Sequence, residues 1–473
     1  MARPQPAQDG TAPYDAIRPT VAGLLDQRAY KHALTLLQRT YRSMPPDTRL
    51  LDDMATCYWE LGDAQTALQL VELAATDGGG DAATWGRLGA MALSTGDRER
   101  AQSAFRRALS LSPRDARALA ALNRVAPLAR DSRQMAHLRD IARSAKATPN
   151  DRAIASNTLG LIEQAAGNTK AAFHHFARAK AHKPGRYDTT AADEFVAEQR
   201  ERYHPDLLRL TAKPLPHRFV FVVGMPRSGT TLVESILTRH PQVTTIGESI
   251  ALQDCMRLCR HRTGQKRGWD WMDAITPELA STLAQTFLDR CAQKHVGEFP
   301  EVIVDKTPLN LFEAGFARAI LPDARFVFMS RHPLDVGLSN FTTNYAAPHP
   351  FSKSLATIGH MTRTVFTSAG DYQSKLGQAF RWQSFRALVT SPETQIRAML
   401  DHLGLAWDDR CLAPQDRTGA VNTASFLQVR SAINDDGLGK WHRFEAELAP
   451  LVQALGGQKW IEDWAAKDTA AAG

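Results

Sequence analysis

The segment GMPRSGTT, residues 224–231, has the residue types of an anion-binding loop. Gly224 and Gly229 allow a tight turn. Backbone amides from Arg227 to Thr231 can then converge on a phosphate oxygen, and the helix expected to follow points its positive end at the anion. The candidate ligands are Arg227, Ser228, Gly229, Thr230 and Thr231.

This loop differs from a Walker A loop at one important position. Thr230 stands where the Walker A lysine would be. That lysine contacts the β and γ phosphates of a nucleoside triphosphate, so its absence argues against an ATP or GTP enzyme. Apart from Asp305, no acidic residue at the end of a strand is an obvious magnesium ligand. A P-loop kinase of a small metabolite therefore remains only an alternative.

The segment RFVFMSRHPLDVGLSNF, residues 325–341, indicates a second anion site. An apolar strand leads to Arg331, Pro333 marks the start of a helix, and Ser339 lies within that helix. An arginine at the carboxyl end of a strand can bind a phosphate that is remote from the first. The two motifs together predict a nucleotide with two separate anionic groups.

The elements that must position these residues are short apolar strands between helices. The strands are expected at FVFVVG, EVIVDK and RFVFMS. Continuous apolar runs of this kind indicate strands buried on both faces, and hence an α/β, P-loop-like domain with a mostly parallel central sheet. Ligands bind such sheets at the carboxyl ends of the strands, which is where the two motifs lie.

Residues 14–186 show a helical pattern with a 34-residue repeat. A frame that starts at Ala82 matches the tetratricopeptide pattern at Trp85, Leu88, Gly89, Gly96, Ala101, Phe105, Ala108 and Pro113. Weaker frames start at Tyr14, Thr48 and Ala153, and residues 116–152 form a degenerate unit. About four or five such units should stack as an all-α solenoid, because no repeat buries its own apolar face. The array either binds a peptide or partner protein on a concave surface, or braces the second half or mediates self-association.

The composition limits the class of protein. A chain of 473 residues with 43% apolar and 23% charged residues predicts two or three globular domains. A net charge of +7 suits a small anionic ligand at least as well as nucleic acid. No apolar run approaches the roughly 20 residues of a membrane span. Five scattered cysteines favour reduced thiols. We expect a cytoplasmic protein without a nucleic-acid or membrane partner.

The changes in pattern predict the domain boundaries. The expected parts are a disordered N-terminus over 1–13, the repeat array over 14–186, a linker over 187–216, the α/β domain over 217–460 and a C-terminal tail over 461–473.

The motifs PRSGTTL…HP…GES and RHPLD…S, taken together, resemble the sulfotransferase superfamily, whose donor is 3′-phosphoadenosine 5′-phosphosulfate (PAPS). With the repeats in front, the chain resembles bacterial tetratricopeptide-repeat sulfotransferases, and its catalytic part, roughly residues 217–456, is similar to tyrosylprotein sulfotransferases. The resemblance implies that the loop from Arg227 to Thr231 binds the 5′-phosphosulfate. It also implies that Arg331 and Ser339 bind the 3′-phosphate. Since PAPS has no γ-phosphate, its binding does not require the Walker A lysine.

The resemblance also assigns the catalytic groups. Glu248 lies 21 residues after Arg227, where tyrosylprotein sulfotransferases carry the catalytic base. Lys306, in VIVDKTPLN, is expected to contact the sulfonate or the bridging oxygen, although pairing with Asp305 or another acid is a simpler role for it. Arg227 contributes charge to both binding and catalysis. Because cationic side chains can stabilise the leaving group, no metal is required. Ser425 and Lys440 are candidates in a loop that would close over PAPS.

One departure from the family concerns the box that usually reads YEDLV. Here the sequence is FRALV, residues 385–389, so the apolar frame remains and the acidic pair is missing. If those acids organise the site, the chain is an inactive nucleotide-binding repeat scaffold; if they only anchor a helix, activity persists. The acceptor stays open between a protein or peptide, a glycan and a small molecule. The basic run RLCRHRTGQKR, residues 257–267, is either an acidic-acceptor site or a solvated helix face.

Overall fold

A computed structural model describes residues 13–43, 47–77, 79–204, 212–264, 269–293, 295, 297–346, 349–416 and 432–471. The described chain falls into two compact units, and the main division lies between Pro127 and Leu128. Helical repeats come first, followed by a unit with a parallel sheet, so the predicted fold class is confirmed. None of the helices described combines the length and the apolar character that a bilayer crossing requires.

The first unit is helical over its described residues. Each helix packs against the next along the chain. The helices are α1 Pro13–Asp26, α2 Tyr30–Tyr41, α3 Thr48–Glu60, α4 Ala64–Thr76, α5 Ala82–Thr95, α6 Arg98–Leu111 and α7 Ala116–Val125.

Aspartates cap the helices of this unit at regular intervals. The side chains of Asp47, Asp81 and Asp115 accept hydrogen bonds from backbone N–H groups in the first turns of α3, α5 and α7. Asp63 and Asp97 cap α4 and α6 in the same way. The first three aspartates are 34 residues apart, as are the other two. Since every first turn leaves N–H groups without helical partners, aspartates satisfy some of them from α3 to α7, and these caps repeat with the predicted period.

The second unit begins with more helices and continues into the sheet. Its helices are α8 Arg133–Arg143, α9 Pro149–Ala165, α10 Thr169–Ala181, α11 Thr189–Arg202, α12 Thr230–Leu237, α13 Ala251–Arg262, α14 Pro277–Ala292, α15 Ala314–Ile320, α16 Pro333–Thr342, α17 Leu355–Leu376, α18 Phe385–Thr390, α19 Pro392–Leu403, α20 Ala449–Leu455 and α21 Gln458–Ala470. Helix α11 lies within the expected linker and α21 covers most of the expected tail. Both bury side chains, among them Val196 and Trp464. The domain boundaries stay a prediction.

The sheet brings the sequence motifs to one edge. Its strands are β1 Arg218–Gly224, β2 Val243–Thr245, β3 Val302–Asp305, β4 Arg325–Ser330 and β5 Phe380–Ser384, in the order β2-β3-β1-β4-β5. All four neighbouring pairs are parallel. Residues of β1 alternate between two cores, with Phe219, Phe221 and Val223 on one side and Val220 and Val222 on the other. The carboxyl ends of β1, β3 and β4 therefore meet at one edge.

Two glycines of the repeat pattern permit close helix contact. A Cβ atom at Gly89 in α5 would lie 2.6 Å from the ring of Phe105 in α6. The same arrangement recurs between α9 and α10, where a Cβ at Gly160 would lie 2.5 Å from the ring of Phe176. Each ring fills the space that a missing methyl group leaves, so the two residue types act as a pair.

Replacing Gly89 by alanine is expected to lower the free energy of unfolding by about 1–3 kcal/mol, because the added methyl group overpacks the contact with Phe105. Gly86 in the same helix is a matched control, since a Cβ atom added there would have no neighbouring atom within 4 Å. Gly86→Ala should raise stability by up to about 1 kcal/mol through helix propensity. Chemical unfolding followed by circular dichroism measures both. Equal effects of the two substitutions would contradict the packing explanation.

Candidate active site

The loop between β1 and α12 adopts a conformation that few residues tolerate. Gly224, Arg227 and Gly229 all have positive φ, at 147°, 72° and 113°. For Arg227, a non-glycine residue, this conformation is strained. A Cβ at Gly229 would lie 2.6 Å from the ring of Phe385, so only glycine fits there. The ring of Phe385 therefore packs directly against the backbone of the loop.

The loop carries buried hydroxyl groups, and one of them has no hydrogen-bond partner among the described residues. Ser228 is 1% exposed, and its Oγ has no hydrogen-bond partner among the described residues. Thr230 and Thr231 are buried in the first turn of α12, where backbone N–H groups have no helical acceptor. Buried polar groups in proteins are normally paired, so an unpaired hydroxyl at a helix N-terminus is consistent with an anion site.

The second motif converges on the same loop. Arg331 follows β4, is buried, and donates from Nη1 to the carbonyl of Arg227 at 3.1 Å. Arg227 in turn donates from Nε to Ser339 Oγ at 3.0 Å. The structure thus brings Arg227, Arg331 and Ser339 together, although they lie on separate elements of the chain.

The surroundings of Arg331 favour an anionic ligand. Its guanidinium lies 4.6 Å from the centre of the Phe385 ring, and its Nε is buried without a partner among the described residues. Burial lowers the pKa of Arg331 to about 10; Asp335 opposes this shift and the charge of Arg227 adds to it. Arg331 is buried and Arg227 is partly buried, and two cations that repel each other in this way are stabilised when an anion binds beside them.

A three-membered charge cluster lies where β3 ends. Lys306 is 1% exposed, and its Nζ lies 2.6 Å from Glu248 Oε1 and 3.9 Å from Glu234 Oε2. The side chain of Glu248 is 53% exposed, whereas that of Glu234 in α12 is 4% exposed. Lys306 therefore pairs with two glutamates from other elements, which agrees with the simpler role of pairing with an acid. The ammonium lies between an inner carboxylate and an outer one.

Backbone contacts hold Glu248 against the end of β3. The N–H of Lys306 donates to the carbonyl of Gly247 at 3.0 Å. The N–H of Ser249 donates to Thr307 Oγ1 at 2.9 Å. Because both neighbours of Glu248 are tied to the strand end, its carboxylate has a defined position beside Lys306.

The sequence analysis missed a group of polar residues near the loop and the candidate base. Asn340, one residue after Ser339, donates from Nδ2 to the carbonyl of Pro226 at 2.9 Å and accepts the Tyr345 hydroxyl at 2.6 Å. Burial raises the pKa of Tyr345, with Arg227 opposing and Glu248 adding to the shift. Burial lowers the pKa of His349, and the charge of Glu248 opposes this shift. Tyr345 and His349 are therefore electrostatic neighbours of the candidate base.

The segment that follows residue 431 is anchored at the same edge. Asp335 in α16 accepts hydrogen bonds from the N–H groups of Gly439 and Trp441, at 2.9 and 3.1 Å. Arg331 Nη2 donates to the carbonyl of Gly437. Lys440 is exposed at the start of a short 3-10 helix, and Ser425 lies outside the described residues. The backbone around Lys440 is thus joined directly to the second anion motif.

The FRALV segment is anchored without its acids. Ser384, the residue before it, caps α18 by accepting from the N–H of Ala387 and donates to Asp468 Oδ2 at 2.7 Å. Burial raises the pKa of Asp468, and the hydrogen bonds that it accepts from hydroxyl groups counteract this shift. Phe385 contacts both Gly229 and Arg331. A serine and an acid from α21 therefore fix this helix, while Phe385 forms part of the site.

Two arginines in the described part of the basic run already contact other side chains of the protein. Arg257 forms an ion pair with Asp254, and the guanidinium of Arg260 lies 5.2 Å from the centre of the Trp271 ring. Arg262 is exposed, and residues 265–268 lie outside the described chain. These contacts favour a structural role for Arg257 and Arg260.

Comparison with known proteins gives a family match for part of the second unit. Residues 219–409 match the family described as "Sulfotransferase family". This part of the chain is similar to a sulfotransferase domain, and tetratricopeptide-like helices precede it.

Several known proteins are similar to part of this chain. An "Uncharacterized protein" of Aquifex aeolicus (strain VF5) is 36% identical over 276 residues, which cover 56% of this chain and only 36% of that protein. Protein-tyrosine sulfotransferase 1 of Danio rerio is 25% identical over 50% of this chain and 71% of its own length. A putative protein-tyrosine sulfotransferase of Caenorhabditis briggsae is 24% identical, with 50% and 89% covered. Among solved structures, the sulfotransferase domain from the Synechococcus PCC 7002 olefin synthase is 19% identical, with a TM-score of 0.37, over 54% of this chain and 98% of that one.

Proposed function

We propose that this chain transfers the sulfuryl group of PAPS to a hydroxyl or amine acceptor. The observation that carries the proposal is the convergence of Arg227, Arg331 and Ser339 on the loop after β1. Glu248 and Lys306 lie at the same edge of the sheet. An anion site of two arginines next to a glutamate and a lysine supplies the groups that sulfuryl transfer uses.

The residues present suit a donor with two anionic ends. The loop from Arg227 to Thr231, with the unpaired Ser228 hydroxyl, would hold the 5′-phosphosulfate. Arg331 and Ser339 would hold the 3′-phosphate, and the unpaired Nε of Arg331 adds a donor. Lys440 and Ser425 belong to the segment expected to close over the nucleotide. Bound PAPS supplies the activated sulfuryl group, so the protein has only to position it and stabilise charge.

Two residues of the charge cluster perform the remaining chemical tasks, and each has a different role. Glu248, on the exposed side, takes the proton of the acceptor as the new sulfur–oxygen or sulfur–nitrogen bond forms. Lys306, on the buried side, donates to the sulfonate or to the bridging oxygen that leaves with 3′,5′-phosphoadenosine. Arg227 adds positive charge from the loop. Because Lys306 binds Glu248 at 2.6 Å, this contact must loosen when the ammonium turns to the donor.

The proposal also covers the acceptor and the role of the repeats. Two relatives are named as protein-tyrosine sulfotransferases, which makes tyrosine of a protein or peptide the first acceptor to test. A glycan and a small molecule remain compatible with Glu248 as base. The tetratricopeptide-like helices would recruit or position the acceptor or a partner protein. A cytoplasmic location is part of the same proposal.

Calorimetry followed by a transfer assay tests the proposal. The wild-type chain should bind 3′,5′-phosphoadenosine and ignore ATP with magnesium, and it should move ³⁵S from PAPS to protein, glycan or small molecules of a lysate. If the chain binds ATP with magnesium and does not bind 3′,5′-phosphoadenosine, the P-loop kinase is favoured. Binding of 3′,5′-phosphoadenosine without transfer to any fraction would favour the inactive scaffold, to which the missing acids of FRALV also point.

A further inference from the structure

A buried lysine of the last repeat helix is bound to the end of the donor-site helix. Lys180 in α10 is 4% exposed. Its Nζ donates to the carbonyls of Asn340 and Thr343 at 3.0 and 2.7 Å, and to Ser352 Oγ at 3.4 Å. Burial lowers the pKa of Lys180 to about 7, so keeping an ammonium here is costly. Three oxygen acceptors offset that cost.

The residues that Lys180 binds are next to donor-site contacts. Asn340 uses Nδ2 to hold the carbonyl of Pro226 in the loop, and its neighbour Ser339 accepts from Arg227. The Asn340 Oδ1 accepts from Tyr345, whose ring centre lies 5.6 Å from Lys180 Nζ. The C-terminal end of α16 is therefore connected to the repeat helix on one side and to the phosphate loop on the other.

Helices α9 and α10 make further contacts with the same region. Asn157 in α9 donates from Nδ2 to the carbonyl of Thr342 at 2.7 Å. The ring of Phe173 in α10 lies 5.4 Å from that of Phe341. The last carbonyls of a helix have no partner within it and carry its negative end. A cation and an amide from the repeats supply the partners for α16.

We propose that Lys180 is a positioning residue of the donor site, which fixes Ser339 and Asn340 so that the loop with Arg227 keeps its binding conformation. The last repeat hairpin, α9 with α10, is then a working part of the sulfotransferase domain. This inference rests on the proposed function, since it assumes that the loop binds the donor nucleotide.

Lys180→Met tests the inference, because methionine keeps the apolar stem and removes the ammonium. We expect the affinity for 3′,5′-phosphoadenosine, measured by calorimetry, to fall about 10- to 100-fold, as for loss of charge-assisted hydrogen bonds. The KM for PAPS should rise by a similar factor, with a smaller change in kcat. Lys180→Arg retains the charge and should recover part of the affinity.

Arg178→Met is the matched control. Arg178 lies in the same helix and donates to the carbonyl of Ala142 at 3.2 Å, away from α16. We expect Arg178→Met to lower thermal stability about as much as Lys180→Met does and to leave the nucleotide affinity unchanged. If Lys180→Met does not fold, Asn157→Ala replaces it, with an expected loss of about 3-fold in affinity.

The outcomes separate the two proposals. If the wild type binds no 3′,5′-phosphoadenosine, the proposed function fails. If the wild type binds it and the substitutions at Lys180 or Asn157 leave the affinity unchanged, or weaken it no more than Arg178→Met, only the positioning role is overturned.

Discussion

Glu248→Gln is expected to lower turnover by about 10²- to 10⁴-fold, because glutamine keeps the shape of the side chain and an oxygen acceptor for Lys306 but cannot take a proton. The affinity for 3′,5′-phosphoadenosine should change little. Glu248 is an anionic group on the outer side of Lys306, and it is not expected to contact an anionic nucleotide directly. Initial rates with ³⁵S-labelled PAPS and the acceptor found in the transfer assay, together with calorimetry, measure the two quantities.

Glu301→Gln provides the control for this experiment. Glu301 is also a half-exposed glutamate in an ion pair, with Arg218, but it lies just before β3 and so at the opposite edge of the sheet. Its substitution should leave turnover unchanged. A Glu248→Gln protein that works at close to the wild-type rate would remove Glu248 as the base. Asp305, buried at the end of β3, would then be the next carboxylate to substitute.

Arg331→Ala should weaken donor binding by about 2–4 kcal/mol, roughly 30- to 1,000-fold, since a charge-assisted contact is lost from a desolvated site. The substitution also removes the hydrogen bonds to the carbonyls of Arg227 and Gly437 and the stacking on Phe385. Calorimetry with 3′,5′-phosphoadenosine measures the loss, and thermal unfolding reports any loss of structure.

Arg325→Ala is the matched substitution at the other end of the same strand. Arg325 begins β4 and donates to the carbonyl of Gln378 at 3.2 Å, at the amino edge of the sheet. Its loss should not change nucleotide affinity. If Arg331→Ala and Arg325→Ala bind the nucleotide equally well, Arg331 does not hold the 3′-phosphate.

Local patterns were sufficient to predict the kinds of element and several site members. The 34-residue period and the apolar runs predicted the helical repeats and the parallel strands, because helix pairs and buried strands each impose a spacing on their own residues. Arg227, Arg331 and Ser339 could be named for a similar reason, since each lies at the end of a recognisable element. Their mutual contacts, however, join residues more than 100 positions apart.

The missed residues have roles that only tertiary contacts create. Asn340 and Lys180 have no unusual neighbours in the sequence, and their function depends on where α10 meets α16. Glu234 was more accessible to prediction, because it is an acidic residue in the largely apolar run LVESIL. An acid at such a position requires a cationic partner, which is Lys306.

The unequal exposure of the two glutamates beside Lys306 determines where the proton can go after the reaction. The side chain of Glu234 is buried inside the domain, whereas about half of the Glu248 side chain is exposed to water. In the proposed cycle Glu248 ends protonated and must be regenerated before the next acceptor binds. Its contact with bulk solvent lets the proton leave in a single transfer, so no internal relay of hydroxyls or imidazoles is needed to reset the base.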